Sequence, residues 1–206
     1  MFGTTPPAVK ERWHAIMVDR QSLHQKEDLS PCVFECLAPE LSGLSLSRTS
    51  DATYVRAVAK VAFAPWSIPN IERETKAYGL LAGSGLTPRF LAHIDEDKRI
   101  MGLLLEKVVG RRPRDEDLGA CEEALKSLHR LGFAHGAPTR DHFIVTEEDV
   151  VKLVGLSEFV NRRPSPETRS AELARLRSEF GVFAEVKDME YGRRQRDLRS
   201  GDSFIR

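Results

Sequence analysis

Between the polar turn DEDK and the basic turn RRPRDED lies RIMGLLLE, residues 99–106, where everything from Ile100 to Leu105 is apolar apart from one glycine. A strand of this kind has no polar face to give to water, so it must lie inside a sheet covered on both sides. The run before it, TPRFLAHI, is also strand-like, and DEDK is a turn, which predicts a hairpin with the second strand at the sheet's centre. Any fold for this chain has to place helices or loops against both faces of that sheet.

The 206 residues are 41% hydrophobic, enough for one substantial core or for two small lobes sharing a cleft. The 31 basic and 31 acidic residues cancel, so overall charge steers the chain toward no class of partner. Aromatic residues are few and do not interleave with basic ones, which argues against a nucleic-acid module. No apolar run reaches the roughly 18 residues a membrane span requires, and the opening MFGTTPPAVKERWHAIMVDR has no apolar centre of the signal-peptide kind. The three cysteines, Cys32, Cys36 and Cys121, are odd in number and lack zinc-pair spacing. A cytoplasmic, reducing location without metal is the expectation.

Around the central hairpin the chain divides into four stretches. Residues 1–31 read as a polar N-terminal arm, with a short helix around Ala8 to Val18 carrying Trp13 and Met17 on its apolar side. From Cys32 onward come three short β-type runs, CVFECLA, LSGLSLS and TYVRAVAKVAF. The last alternates, with Tyr54, Arg56, Val58 and Lys60 on one face and Val55, Ala57, Ala59 and Val61 on the other. A helix is predicted from about Asn70 to Leu81, ended near Gly83 and Gly85, followed by the hairpin up to residue 110. A second helix carries Leu118, Cys121, Leu125 and Leu128 on one side and stops at Gly132. Strands HFIV and VVKLVGL follow around the turn TEED, then a helix over 167–180 with Leu173, Leu176 and Phe180 as its stripe. Residues 183–206 form a basic tail with Arg193, Arg194, Arg196, Arg199 and Arg206.

This order of strands, helix, hairpin, linker, helix, loop and hairpin resembles the protein kinase-like superfamily, above all its small fungal kinase-like proteins and the aminoglycoside phosphotransferase branch. The resemblance covers about Val55 to Phe159. It implies an α+β, trimmed two-lobed fold: a small antiparallel N-lobe sheet plus a helix over 32–110, and a reduced, mainly helical C-lobe over 111–182. Lys60, in AVAKVA, stands where the family keeps its phosphate-binding strand lysine, and Glu74, in ERETKAY, where the helix supplies that lysine's partner. Glu72 faces another side of the helix. LLLEKVVG looks like the hinge, which would place backbone groups of Glu106 to Val108 against an adenine ring.

The loop LGFAHGAPTRDHFIV, residues 131–145, departs from the family. His135 and Gly136 are kept, but Ala137 stands for the catalytic Asp, His142 for the metal-binding Asn, and Gly155, in KLVGLSE, for the metal-binding Asp. Ala137 cannot accept a substrate proton, Gly155 offers no oxygen to a hard cation, and an imidazole is a poor magnesium ligand. The glycine-rich phosphate loop, expected in LAPELSGLSLSRTS, has only Gly43. The resemblance therefore implies a pseudokinase that acts by binding a protein partner or a small molecule in the interlobe cleft, with room for ATP without magnesium. The alternative is a kinase-like fold used for cyclisation, isomerisation or group transfer by His135, Arg140, Asp141 and His142, with Glu158 nearby. An active phosphotransferase would need Asp141 or Glu158 as displaced metal ligands.

Overall fold

In the computed structural model, residues 7–41 and 54–182 are described. The first strands are β1 (Met17–Asp19), β2 (His24–Ser30), β3 (Val33–Pro39) and β4 (Tyr54–Val61). Helix α1 (Ile68–Leu80) separates these from β5 (Phe90–Glu96) and β6 (Arg99–Glu106). The rest comprises β7 (Gly110–Arg111), α2 (Leu118–Arg130), β8 (Phe143–Thr146), β9 (Val151–Leu153) and α3 (Pro166–Glu179). The architecture is α+β.

The apolar run forms β6, inside a six-stranded sheet of order β1-β5-β6-β4-β3-β2. Ile100 to Leu105 are all buried. The β5–β6 turn uses Asp97 and Lys98 at φ 52° and 61°, the left-handed pair whose twist matches that of the flanking strands in a two-residue hairpin. The alternation read in β4 is observed: Val55, Ala57, Ala59 and Val61 are buried, while Tyr54, Arg56, Val58 and Lys60 are partly or fully exposed. Leu103 and Leu104 have no exposed surface, and truncating either to Ala would cost about 2–5 kcal/mol.

Two expectations for this sheet need correction. It is mixed, because β1 runs parallel to β5, pairing Met17, Val18 and Asp19 with His93, Ile94 and Asp95. The short helix expected around 8–18 does not form. There the Val9 N–H donates to Ile100 O, His93 N–H donates to Ile16 O, and the Trp13 indole donates to Thr75 O while its ring packs on Phe90. Long-range partners satisfy these groups better than one isolated amphipathic turn could. Residues 17–30, within the segment read as an arm, thus supply β1 and β2 of the sheet. Strand β2, HQKEDLS, is exposed throughout and sits at the edge, where its charged side chains discourage pairing with another chain. The run LSGLSLS beyond its first residue, Leu41, and the basic tail from 183 onward lie outside the described residues.

The second sheet is small, in the order β7-β8-β9. Helix α2 packs on it and on α3, burying Cys121, Leu125 and Leu128 as the sequence indicates. Leu176 of α3 and Phe180 just after it are buried with them, while Leu118 and Leu173 are only partly buried. Buried side chains of both sheets and all three helices form one contiguous cluster, so the two sheets share a single core. All three cysteines are free thiols.

Candidate functional site

A cleft of about 550 Å³ opens where the two sheets meet. Leu29, Ser30 and Val33, at the tip of the β2–β3 hairpin, line one side; Ile144 of β8 and Val154 and Gly155, just after β9, line another. Leu105 to Val108, leaving the end of β6, form the connecting wall. Glu106 is held there twice over, its carboxylate accepting from Arg89 Nε at 2.7 Å and from Arg89 N at 2.9 Å. Lys107 reaches Glu35 at 2.9 Å.

Lys60 and Glu74 meet inside this cleft. The period-two pattern of β4 turns Lys60 toward it, and α1 brings Glu74 opposite, so that Lys60 Nζ donates to Glu74 Oε2. Glu74 Oε1 also accepts the N–H of Leu156, the residue after Gly155, at 3.3 Å. Glu74 is only 1% exposed, and a carboxylate so far from water is tolerable only with its cation and N–H donor in place. One carboxylate therefore ties β4, α1 and the chain after β9 together. Glu72 is half-buried and forms no ion pair among the described residues.

The loop of residues 131–145 brings some of its polar residues together and separates others. His135 is fully buried and its ring stacks on His142, with centroids 4.9 Å apart and planes 22° off parallel. His135 Nε2 donates to Val154 O at 3.3 Å, and Nδ1 has no partner among the described residues. Burial pushes the His135 pKa down to about 4, and the neighbouring imidazole adds to the effect. His142 is lowered as well, by burial first and then by the Lys60 ammonium, against an opposing hydrogen bond to Ala137 O. Both imidazoles are neutral at physiological pH. Arg140 turns away: it pairs with Asp115 at 2.9 Å, donates to Pro113 O at 2.7 Å and lies over the Phe180 ring. Asp141 lines the cleft but pairs with Arg112 at 2.6 Å, and Glu158 is largely exposed beside Arg73.

No family model and no curated protein matches the chain.

Gly155 has φ +69°, and a Cβ built there would lie 2.3 Å from His142 Cδ2. The imidazole thus fills the space that a side chain at position 155 would occupy. Ala137 presents no functional group, and among the described residues no three His, Cys, Asp or Glu side chains converge on a common point. What remains is a cleft with a committed ion pair, the His142 imidazole backed by buried His135, and an apolar lining from Val33, Val58, Leu105 and Ile144. That arrangement can bind and orient a flat or partly apolar ligand. Of the two stacked imidazoles only His142 lines the cleft, with the exposed Asp141 carboxylate at its rim.

Two features were not anticipated from sequence. The hairpin lining the cleft among the described residues comes from residues 24–39, and its tip, Ser30-Pro31-Cys32-Val33, has no glycine; the stretch 37–50, where a phosphate loop would be expected, is described only to Leu41. The second is Glu172 of α3, 5% exposed, which accepts from Gly136 N at 2.5 Å and His135 N at 3.3 Å and bonds His129 Nε2 at 2.7 Å. It holds the loop from beneath. Gly136 fits there because its φ is +89° and a Cβ would fall 2.0 Å from Glu158 O. A Glu among the apolar positions of a helix stripe was the available hint.

Proposed function

We propose that the protein is a catalytically degenerate kinase-like domain that works by binding in its interlobe cleft, without magnesium and without phosphoryl transfer. The observation that carries this reading is the His142 ring standing where a side chain at Gly155 would have to go. Phosphoryl transfer depends on metal-held charge neutralisation and on a proton acceptor. With Ala137, His142 and Gly155 at the three positions, neither function is supplied, and a metal-ligating carboxylate at 155 has no room while His142 keeps its place.

Several features support the kinase-like part of the reading. Lys60 pairs with Glu74 of the following helix, a hairpin overhangs the cleft, and Glu106 to Val108 line the wall between the two sheets. The cleft volume of about 550 Å³ is in the range of small-molecule sites. Adenine against the wall at Glu106 to Val108, with phosphates toward Lys60, is the pose this implies. The reading as an enzyme of another chemistry has less to draw on, because Arg140 is committed to Asp115 and Phe180, and His135 is sealed in the interior.

The test is thermal melting of the purified protein with ATP, in magnesium and in chelator. A ligand at ten times its dissociation constant stabilises by about 1.4 kcal/mol, which for a chain of this size is a rise of several degrees. Equal rises with and without magnesium, together with no transfer of labelled phosphate, is the expected result. Magnesium-dependent transfer at ordinary kinase rates overturns the proposal. No response to ATP would remove the nucleotide and leave the cleft to another ligand or a partner protein.

A further inference from the structure

We infer that a second binding site, for an acidic or phosphorylated segment of a partner protein, lies in the groove between α2 and the start of α3. The groove has a volume of about 530 Å³ and presents Lys126, Arg130, Arg163 and Arg169, with His129 and Leu173 also in its lining. None of its lining residues belongs to the cleft, and the inference holds whether or not a nucleotide binds there.

Charge is the first argument. The chain as a whole is neutral, so four cations on one concave surface do not follow from a generally basic protein. Lys126 is balanced by Glu122 and Glu123, and Arg130 lies 3.9 Å from Glu123. Arg163 and Arg169 form no ion pair among the described residues, although Arg169 is within electrostatic reach of the exposed Glu167. Arg163 and Arg169 thus keep their guanidinium N–H groups free of any ion pair among the described residues, and an anion in the groove can take them up. Arginine also binds carboxylate and phosphate oxygens two at a time.

Shape and lining choose the class of anion. The cations surround a concavity with Pro166 and Leu173 in its wall, which suits a charged side chain together with some apolar contact. No Phe, Tyr or Trp lines it, so the stacking platforms of single-stranded nucleic-acid sites are missing. An anionic bilayer would call for a protruding apolar surface rather than a pocket.

The groove also touches the frame of the loop. His129 in its lining bonds Glu172, the carboxylate that holds the backbone of His135 and Gly136. A ligand seated over His129 would be one side chain removed from the loop that lines the cleft.

The experiment is fluorescence anisotropy of the full chain with a labelled peptide carrying phosphoserine among glutamates, a neutral peptide of the same length, and phosphatidylserine vesicles as competitor. Binding of the acidic peptide alone, weakening as salt is raised, and a loss of at least about tenfold in an R163E/R169E variant are expected. A melting temperature for that variant close to the parent's establishes that it is folded. The inference is overturned if the acidic peptide does not bind, if its binding survives R163E/R169E, or if the cleft variant K60M removes it equally. Vesicle binding through the same arginines without peptide binding would also overturn it, in favour of a membrane surface.

Discussion

The imidazole of His142 and the missing side chain of Gly155 are two halves of one arrangement: a Cβ at 155 would sit 2.3 Å from His142 Cδ2 and 2.7 Å from Nε2. Each residue is the condition for the other. Introducing a carboxylate at 155 alone must push the ring off its stack with His135 and place a non-glycine residue at φ +69°.

Gly155→Asp is accordingly expected to destabilise the fold by about 3 kcal/mol, combining overpacking with left-handed backbone strain. Adding His142→Asn should recover at least about 1 kcal/mol by clearing the ring, a coupling that urea denaturation of the two single variants and the double variant will measure. Strict additivity would show that the two positions are independent.

Lys60→Met leaves Glu74 buried with only the Leu156 N–H as donor among the described residues. Because Lys60 keeps some contact with solvent, the loss should be smaller than for a fully enclosed pair, about 1–3 kcal/mol. Lys60→Met with Glu74→Leu should be more stable than Lys60→Met alone, since the orphaned charge is gone. A double variant less stable than the single would contradict this account of the pair.

Glu172→Gln removes a charged acceptor shared by His129, His135 N and Gly136 N. A cost of about 2–4 kcal/mol is expected, with faster amide exchange at His135 and Gly136 before other loop amides. Burial raises the Glu172 pKa, but the bonds from His129 and the two amides outweigh it and hold the carboxyl below its ordinary range. A depressed carboxyl contributes stability that is complete above the unfolded-state value near 4.3 and is lost as pH falls through the folded value. The variant should therefore show a flatter melting profile below about pH 4.5.

His135 and His93 have the opposite chemistry but the same direction with pH. Burial lowers each to about 4, against an unfolded value near 6.5. Between those values the unfolded chain binds protons that the folded chain refuses, so stability falls as pH drops from about 6.5 to about 4. For fully buried His135 the limit is about 3 kcal/mol, from 1.36 kcal/mol per unit. Its ring resonances in an NMR titration should stay those of a neutral imidazole down to pH 5; titration near 6.5 would contradict the burial.

Strands β4, β5 and β6 and the three helices were legible because each carries its own period: alternation over Val55 to Val61, an unbroken apolar run over Ile100 to Leu105, and three- and four-residue spacing in Cys121, Leu125 and Leu128. The segment 8–18 was misread as helix because its apolar spacing suits one, while its hydrogen bonds go to Thr75, His93 and Ile100. Strand β2 was invisible, since an exposed polar edge strand has no pattern of its own. Glu172 was missed for a related reason: its partners are backbone N–H groups 36 and 37 residues earlier, and backbone groups leave no trace in composition.

By itself the sequence determined strands β3 to β6, β8 and β9, the three helices, the pairing candidates Lys60 and Glu74, and the absence of oxygen side chains at 137 and 155. These are properties of local pattern and residue type. Tertiary structure alone decided that Arg140 leaves the cleft, that His135 and His142 stack, that β2 and β3 overhang the site, and that four cations share a groove between α2 and α3. All of those depend on which distant segments share the core, and no spacing along the chain records that.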